Sequence, residues 1–126
     1  MDSIIPTKTP PHLLIGKQGE HVAAAFLQSL GYEIRGRNIR LGKDEIDILA
    51  FDPVDSVLVF VEVKSRAWYS ERFPPGMNAG YRKHQKIRRS AIRWVTRHCY
   101  QGAYRLDLVC VAHGNVIEHF KQIGCD

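Results

Sequence analysis

Acidic residues and a lysine lie inside two short apolar runs near the middle of the chain. The first run contains Glu45 and Asp47, and the second ends in Glu62, Val63 and Lys64. Both runs are rich in β-branched residues and are bounded by turn formers, which predicts two strands. Carboxylates that converge on one point bind divalent cations, which prefer hard oxygen ligands. Hydrolysis of a phosphodiester is the chemistry that a cation and a neighbouring lysine would serve.

The segment between the two runs determines which residues face each other. Residues 52–56 have the Asp, Pro and Ser composition of a turn. If Asp52 pairs with Val57 across a four-residue loop, the antiparallel register places Asp47 opposite Glu62. Directly opposed side chains have Cβ atoms roughly 5 Å apart. Two carboxylates at that distance repel each other unless a cation lies between them.

The same residues are also compatible with ordinary polar positions on a solvated strand face. An Asp followed by a Glu-x-Lys motif is not specific by itself, because these residue types are common. However, residues 58–61 are continuously apolar, as in a central strand covered on both faces. A charge next to such a strand is costly unless it is paired or bound to metal. The sequence therefore favours a functional role.

In the functional interpretation, each residue has a separate task. Asp47 and Glu62 hold the metal, and the carbonyl oxygen of Val63 completes the oxygen shell. Lys64, on the same strand face as Glu62, orients the attacking water or stabilises the charge that develops on phosphorus. Glu20 is a candidate for a third acidic ligand.

The position of Glu20 allows two interpretations. Residues 14–30 have the periodicity of a helix, and Gly31 is a natural C-terminal stop. Gly19 lies on the apolar arc, where a missing side chain lets the helix approach a sheet closely. Glu20, at the edge of that arc, either reaches the polar end of the sheet or is simply favoured by the helix dipole, and position alone favours the second. The apolar arc contains Ile15, Gly19, Val22, Ala23, Phe26, Leu27 and Leu30.

Residues 81–99 predict a second helix with an apolar stripe and a basic face. Its basic residues are nearly unopposed by acids, so they form either a solvated surface or a face that follows phosphates. The predicted buried stripe is Ile87, Ala91, Trp94, Val95 and His98. The predicted contacts to nucleic acid are Arg40, Arg66, Lys83, Lys86, Arg89 and Arg93.

Further strands complete an α/β domain with the element order α-β-β-β-α-β-β. A tight turn is predicted at Gly114-Asn115. Residues 67–80 form a long loop whose aromatic residues either stack on bases or cover the core. The additional strand segments are residues 32–34, 38–41, 105–111 and 116–120.

Composition restricts the protein class. A chain of 126 residues with 44% hydrophobic residues suits one domain, here 13–126, preceded by a flexible proline-containing tail at 1–12. The net charge of +5 suggests a polyanionic partner. Three cysteines without a C-x-x-C pair suggest neither a disulfide framework nor a zinc site. The start is not a signal peptide and no apolar run is long enough to span a bilayer, so we expect a cytoplasmic protein without a membrane partner.

The ordered set of motifs resembles the YraN family of small predicted nucleases, within the PD-(D/E)xK or restriction-endonuclease-like superfamily. The resemblance covers residues 16 to about 111. It rests on Gly16-x-x-Gly19-Glu20, Gly31-Tyr32, Arg37-Asn38-x-Arg40, Glu45-Ile46-Asp47, Phe60-Val61-Glu62-Val63-Lys64-Ser65-Arg66, Lys86 followed by Ala91, and Arg105-Leu106-Asp107.

The resemblance implies a mixed central sheet flanked by helices and a site like that of Holliday-junction resolvases and tRNA-endonuclease-like domains. It assigns Glu20, Asp47, Glu62 and Lys64 to the site, which reverses the interpretation of Glu20 from position alone, and it adds Lys86 as an auxiliary residue. One departure is Asp44, where the family usually has glycine. An extra acid there either alters the metal geometry or lies in solvent.

Two main hypotheses follow. The first is an endonuclease dependent on Mg²⁺ or Mn²⁺ that cleaves DNA rather than RNA, with branched or recombining DNA as candidate substrates and a homodimer as a candidate assembly. The alternative is a non-catalytic nucleic-acid-binding module, or an assembly partner in DNA uptake or repair. The first is favoured because the acidic and lysine residues are all present.

Overall fold

The computed structural model describes the backbone of residues 11–66 and 81–123, and the side chains of residues 17–65 and 85–123. A five-stranded sheet is flanked by two helices, which confirms the predicted mixed α/β class. In chain order the elements are α1 (Pro11–Ser29), β1 (Glu33–Leu41), β2 (Asp44–Asp52), β3 (Val57–Arg66), α2 (Tyr81–Arg97), β4 (Tyr104–Ala112) and β5 (Asn115–Phe120). Residues 1–10 of the predicted tail at 1–12 and the predicted loop at 67–80 lie outside the described residues, whereas residues 11 and 12 belong to α1 and not to a tail.

The strands lie side by side in the order in which they occur along the chain, β1-β2-β3-β4-β5. The β3–β4 pair is parallel and the other three pairs are antiparallel. Parallel neighbours need a long crossover connection, usually with a helix, and α2 provides it here.

The predicted hairpin register is confirmed where β2 and β3 pair. Asp52 is paired with Val57, and the register continues to Ile48 opposite Val61. The turn is held by the side chain of Asp52, because its Oδ1 accepts hydrogen bonds from the backbone N–H groups of Val54 and Asp55 at 3.0 and 3.4 Å. A side chain that bonds its own turn in this way is what favours Asp at such positions.

Strand β3 is buried on both faces, as its apolar run predicts. Phe60 packs into a core with Ile87 and Ala91 of α2, whereas Val59 and Val61 pack into a second core with residues of α1. All three strand residues are 0% exposed. The alternating side chains thus hold a helix against each face of the sheet.

A buried charge network joins elements on the α1 side of the sheet. Arg105 is 4% exposed and bonds Asp107, Asp52 and the hydroxyl of Tyr32, with Nε to Asp107 Oδ1 at 2.8 Å. His119 bonds the other oxygen of Asp107 at 2.8 Å. Burial alone would raise the pKa of Asp107, but the bonds from His119 and Arg105 lower it. The Arg105-Leu106-Asp107 motif therefore links β4 with the hairpin turn, the connection between α1 and β1, and β5.

Both helices differ in detail from the predicted ones. Helix α1 begins at Pro11 rather than at residue 14, and Leu30 lies beyond its end and is 47% exposed instead of buried. Helix α2 ends at Arg97, so His98 is exposed and stacks on Trp94 with ring centroids 4.1 Å apart. In the described part of the chain, no helix has the length and apolar character needed to cross a membrane.

Two strand predictions also need correction. The segments predicted at 32–34 and 38–41 form one strand, β1, whose register shifts between Ile34 and Gly36. The β4–β5 turn consists of His113 and Gly114, one residue earlier than predicted. Both residues have positive φ, 54° and 77°, as the tight hairpin turn requires at its two central positions.

Candidate functional site

Asp47 lies where β2 separates from β3. The last pair between the two strands is Ile48 opposite Val61, so the predicted pairing of Asp47 with Glu62 is not formed. Instead, the side chain of Asp47 accepts a hydrogen bond of 2.9 Å from the backbone N–H of Val63. Ile46 packs into the α2-side core but Ile48 into the α1-side core. The regular alternation of faces is therefore broken at Asp47, and its carboxylate lies at the open end of the β2–β3 pair.

A cavity of about 110 Å³ lies at this end of the sheet. It brings Asp47 and Glu62 together with Lys86, which reaches it from the first half of α2. One water needs roughly 10–15 Å³ of such a cavity, so this one has room for several water molecules. Its lining residues are Glu45, Asp47, Val61, Glu62, Lys86 and Ile87.

The charge of Asp47 is poorly compensated in this cavity. Burial, together with the carboxylates of Glu62 and Glu45, raises the pKa of Asp47 to about 6. The hydrogen bond from Val63 and the ammonium group of Lys86 act in the opposite direction but do not cancel the increase. The site therefore has an electrostatic deficit that a cation would relieve.

Glu20 shares this electrostatic environment. Burial is the largest cause that raises the pKa of Glu20, and the carboxylates of Asp47 and Glu45 raise it further. A hydrogen bond from Asn38 and the charge of Arg37 lower it in part. The structure thus places Glu20 near the carboxylates of β2. The family resemblance implied this position, whereas the place of Glu20 in the helix alone had favoured a role at the helix dipole.

The close approach of α1 to β3 depends on Gly19. A Cβ atom at residue 19 would overlap the Oγ of Ser65 and lie 2.9 Å from its Cβ. Glycine is therefore the residue that fits, and it places Glu20 beside the strand that carries Glu62. The Oγ of Ser65 is buried and has no hydrogen-bond partner within the described residues.

The donor set suits a cation that keeps part of its water shell. Within residues 17–65 and 85–123, no three His, Cys, Asp or Glu side chains form a ready metal-binding group. Mg²⁺ commonly takes one or two carboxylates and retains several waters, so Asp47 and Glu62 fit it. The N–H and C=O groups of a strand residue point to the same side. The carbonyl of Val63 therefore lies on the strand edge that faces Asp47.

Lys64 lies on β3 two residues beyond Glu62, on the same strand face, and pairs with Cys110 of β4. Its side chain is partly buried. It is not among the residues that line the cavity. The structure therefore groups Asp47, Glu62 and Lys86 around the cavity, and Lys64 is not part of its lining.

Asp44 takes no part in the cavity. Its side chain is 0% exposed and faces α2, where Arg89 binds it with Nη2 to Oδ1 at 2.7 Å and Nε to Oδ2 at 3.1 Å. Hydrogen bonds from Arg89 hold the pKa of Asp44 below its usual range, against the effect of burial. The sequence left two roles open for this extra acid, a change in metal geometry or a position in solvent. The prediction of a position in solvent is wrong, and the carboxylate binds residues of α2 rather than lying with Asp47.

The predicted contacts to nucleic acid lie on two elements. Arg40 is exposed on the edge strand β1, where it is paired with Glu45. Lys86, Arg89 and Arg93 lie along one side of α2, because spacings of three and four residues return to the same helix face. The side chains of Arg66 and Lys83 lie outside the described residues.

Two residues near the site had no predicted role. Glu45 lines the cavity, although it was noted only as part of the motif with Asp47. Asn38 bonds Glu20 and has a φ of 52°, a conformation in which Asn is enriched among residues other than glycine. Asn38 belongs to the Arg37-Asn38-x-Arg40 motif of the family resemblance, which was the only signal for it. A contact between β1 and α1 cannot be read from the periodicity of either segment.

Comparisons with known proteins agree on one family. The profile described as "Uncharacterised protein family UPF0102" matches residues 19–111, which include Glu20, Asp47 and Lys86. A UPF0102 protein of Pelobacter propionicus is 36% identical over 106 residues, which cover 83% of this chain and 75% of the relative. One from Cytophaga hutchinsonii is 32% identical over 112 residues, covering 89% and 96%. Another, from a Sulfurihydrogenibium species, is 37% identical over 109 residues, covering 85% and 90%.

Proposed function

The chain belongs to the UPF0102 family, which is also called YraN, and we propose that it is a metal-dependent endonuclease of the restriction-endonuclease-like, PD-(D/E)xK kind. The observation that carries the proposal is the pair of carboxylates of Asp47 and Glu62 in one cavity with Lys86. The charge of Asp47 is poorly compensated, since burial and the neighbouring carboxylates raise its pKa to about 6. Carboxylates kept at such a cost in stability are typical of functional sites.

The residues around the cavity divide the reaction between them. A bound Mg²⁺ or Mn²⁺ supplies a Lewis acid for a phosphoryl oxygen and lowers the pKa of a water molecule. Asp47 and Glu62 would hold the ion, with the carbonyl of Val63 as a further oxygen donor. Glu20, which accepts a hydrogen bond from Asn38, would be a further acidic group on the α1 side.

The two lysines act on the substrate from different sides. Lys86 lines the cavity and pairs with a non-bridging oxygen of the phosphodiester. Lys64, two residues beyond Glu62 on the same strand face, orients the attacking water or stabilises the charge that develops on phosphorus. Nucleic acid is the substrate class that fits a phosphodiester site on a chain with a net charge of +5. DNA is the preferred substrate in this proposal, with branched DNA as its first candidate.

A second candidate function is nucleic-acid binding without cleavage. The observation in its favour is that Lys64 does not line the cavity and that no three acidic side chains within the described residues form a ready metal group. In that case the basic residues bind the backbone while the carboxylates have lost their chemistry. The two candidates differ in one measurable property, which is cleavage in the presence of metal.

The test is a cleavage assay on plasmid DNA, branched DNA and RNA with Mg²⁺, Mn²⁺ or EDTA. We expect metal-dependent nicking that falls by about 10²-fold or more in Asp47→Asn, Glu62→Gln and Lys64→Met. Glu33→Gln is the matched control, because it removes one exposed carboxylate from β1 and should leave cleavage unchanged. Binding without cleavage on all substrates and metals would favour the second candidate, and neither binding nor cleavage would exclude both.

A further inference from the structure

Two half-exposed arginines of α2 are held by one buried carboxylate of β2. Arg89 forms a two-point contact with Asp44, at 2.7 and 3.1 Å. Arg93 approaches the same carboxylate at 3.6 Å and donates from Nη1 to the carbonyl oxygen of Leu41 at 3.2 Å. The Asp44 side chain is 0% exposed, whereas those of Arg89 and Arg93 are 52% and 45% exposed.

The arrangement fixes the two guanidinium groups while a large part of each remains accessible. Asp44 occupies the Nε and Nη2 edge of Arg89. A guanidinium has five N–H donors, so donors remain for a second acceptor. Arginines that are already oriented lose less side-chain freedom on binding. Their planar geometry also matches two oxygens of a phosphate.

The charges at this position favour an anionic partner. One carboxylate faces two guanidinium groups, so the cluster keeps an excess positive charge. The sequence of α2, Tyr81–Arg97, contains no Asp or Glu that would neutralise it. A purely structural ion pair would need only one arginine. The second arginine and the exposure of both point to a ligand with several negative charges.

The cluster lies next to the proposed active site on the same side of α2. Lys86 lines the carboxylate cavity, and Arg89 and Arg93 follow it at helical spacing. With a rise of 1.5 Å per residue, they lie about 4.5 and 10.5 Å further along the helix axis. A nucleic-acid strand with one phosphodiester in the cavity would therefore run its neighbouring phosphates past both arginines.

We infer that Arg89 and Arg93 form a binding site for the phosphate backbone of a nucleic acid, and that Asp44 is the positioning residue of this site. The inference rests on the proposed function for the identity of the bound strand, but it concerns binding and can be tested without cleavage. It also accounts for the extra acid, since Asp44 orients α2 arginines instead of ligating metal.

Substitution of Asp44 distinguishes positioning from simple charge attraction. If the arginines act only as solvated charges, Asp44→Asn removes a negative charge and should strengthen binding to a polyanion. If Asp44 positions them, the same substitution should weaken binding although the protein becomes more positive. Arg89→Lys makes the same distinction without a change in charge, because lysine cannot form the two-point contact.

The experiment measures fluorescence anisotropy of labelled single-stranded DNA, duplex DNA and RNA in EDTA, at several salt concentrations. We expect Asp44→Asn and Arg89→Lys each to raise Kd by roughly fivefold to tenfold. Arg89→Gln should in addition reduce the slope of log K against log salt by about one. Arg88→Lys is the matched control, because Arg88 lies on the other flank of α2, next to Tyr104, and should leave Kd unchanged.

Unfolding is monitored by circular dichroism, and if Asp44→Asn does not fold, the comparison of Arg89→Lys with Arg88→Lys decides. Tighter or unchanged binding by both Asp44→Asn and Arg89→Lys would overturn the inference, as would wild-type protein that binds no nucleic acid and prefers an acidic protein. Weakened binding together with absent cleavage would support this inference and contradict the proposed nuclease. Cleavage together with tighter binding by Asp44→Asn would support the proposed nuclease and contradict this inference.

Discussion

The carboxylate of Asp47 accepts a hydrogen bond of 2.9 Å from the backbone N–H of Val63. A side-chain oxygen thereby takes the position that a backbone carbonyl of β2 would have in a continuous strand pair. With Oδ2 fixed, the carboxylate cannot rotate freely, so Oδ1 keeps one orientation. Where the β2–β3 pairing ends, the second carboxylate oxygen of Asp47 is thus held in one orientation. The backbone carbonyl of Val63 lies on the same edge of β3 and is no longer paired with the backbone of β2.

Asp47→Asn should stabilise the metal-free protein at neutral pH. The pKa of Asp47 is raised from 3.8 to about 6 in the folded state, so its contribution to stability is complete below pH 4 and is lost as pH rises through 6. Asparagine keeps an oxygen for the Val63 N–H and carries no charge. The gain in unfolding free energy should be near zero at pH 4 and reach up to about 3 kcal/mol at pH 7.

The measurement is urea unfolding at pH 4, 5, 6 and 7 with EDTA present. Glu33→Gln, which removes an exposed carboxylate from β1, serves as the control and should change little across this range. A stabilisation that is equal at pH 4 and pH 7 would show that the ionisation of Asp47 is not its cause.

Saturating divalent metal should make the wild type more stable than Asp47→Asn. A cation that binds the folded wild type stabilises it by about 4.1 kcal/mol at a thousand times its Kd, which exceeds the roughly 3 kcal/mol expected for the variant at pH 7. Asp47→Asn has lost a ligand and should gain much less. Thermal unfolding with increasing Mn²⁺, followed by removal with EDTA, checks this. Equal shifts in wild type and variant would place the bound ion elsewhere.

Gly19→Ala should destabilise the protein and disturb the site together. The new methyl group meets Ser65 on β3, and overpacking of this kind costs about 1–3 kcal/mol. Because Glu20 follows directly, displacement of α1 should also weaken Mn²⁺ binding. Calorimetric titration and thermal unfolding of the same samples measure both effects.

The double variant Gly19→Ala/Ser65→Gly provides the control for steric conflict, because it removes the atoms that the methyl group meets. It should recover part of both losses. Ser65→Ala alone should be neutral or slightly stabilising, since the Oγ of Ser65 is buried without a partner in the described structure. If the double variant recovers neither loss, the close approach at Gly19 is not what positions Glu20.

Arg105→Met should destabilise the fold without a specific effect on the cavity. The substitution leaves Asp107 and Asp52 buried without their cation, and breaking a buried ion pair costs about 3–5 kcal/mol. His119 remains bonded to Asp107 and limits the loss. The free energy of unfolding should fall sharply, while the Kd for Mn²⁺ of the folded fraction stays within a factor of two or so. A large change in metal affinity would connect this network with the site.

The sequence predicted local features more successfully than contacts between elements. The register of the β2–β3 hairpin followed from turn chemistry at Asp52 and from strand periodicity, and both are local properties. The fully buried strand β3 was indicated by its continuous apolar run for the same reason. Helix ends were less accurate, because Leu30 and His98 fit the helical periodicity but lie one residue beyond the ends of α1 and α2.

The missed features depend on partners that are distant in sequence. Asp44 and Arg89 are 45 residues apart, so no spacing rule connects them, and Asp44 was considered only as a metal ligand or a solvated acid. Asn38 contacts Glu20 from a strand that the sequence divided into two pieces. The break in alternation at Asp47 likewise shows only in the packing of Ile46 and Ile48 on opposite sides of the sheet, which the apolar pattern of β2 alone does not contain.

The most direct test of the account is anomalous diffraction from crystals soaked in Mn²⁺. We predict a peak within about 2.5 Å of a carboxylate oxygen of both Asp47 and Glu62, with Lys86 facing the ion through water or substrate. A Mn²⁺ concentration that saturates other sites but leaves this cavity without a peak would contradict a shared cation and, with it, the proposed nuclease.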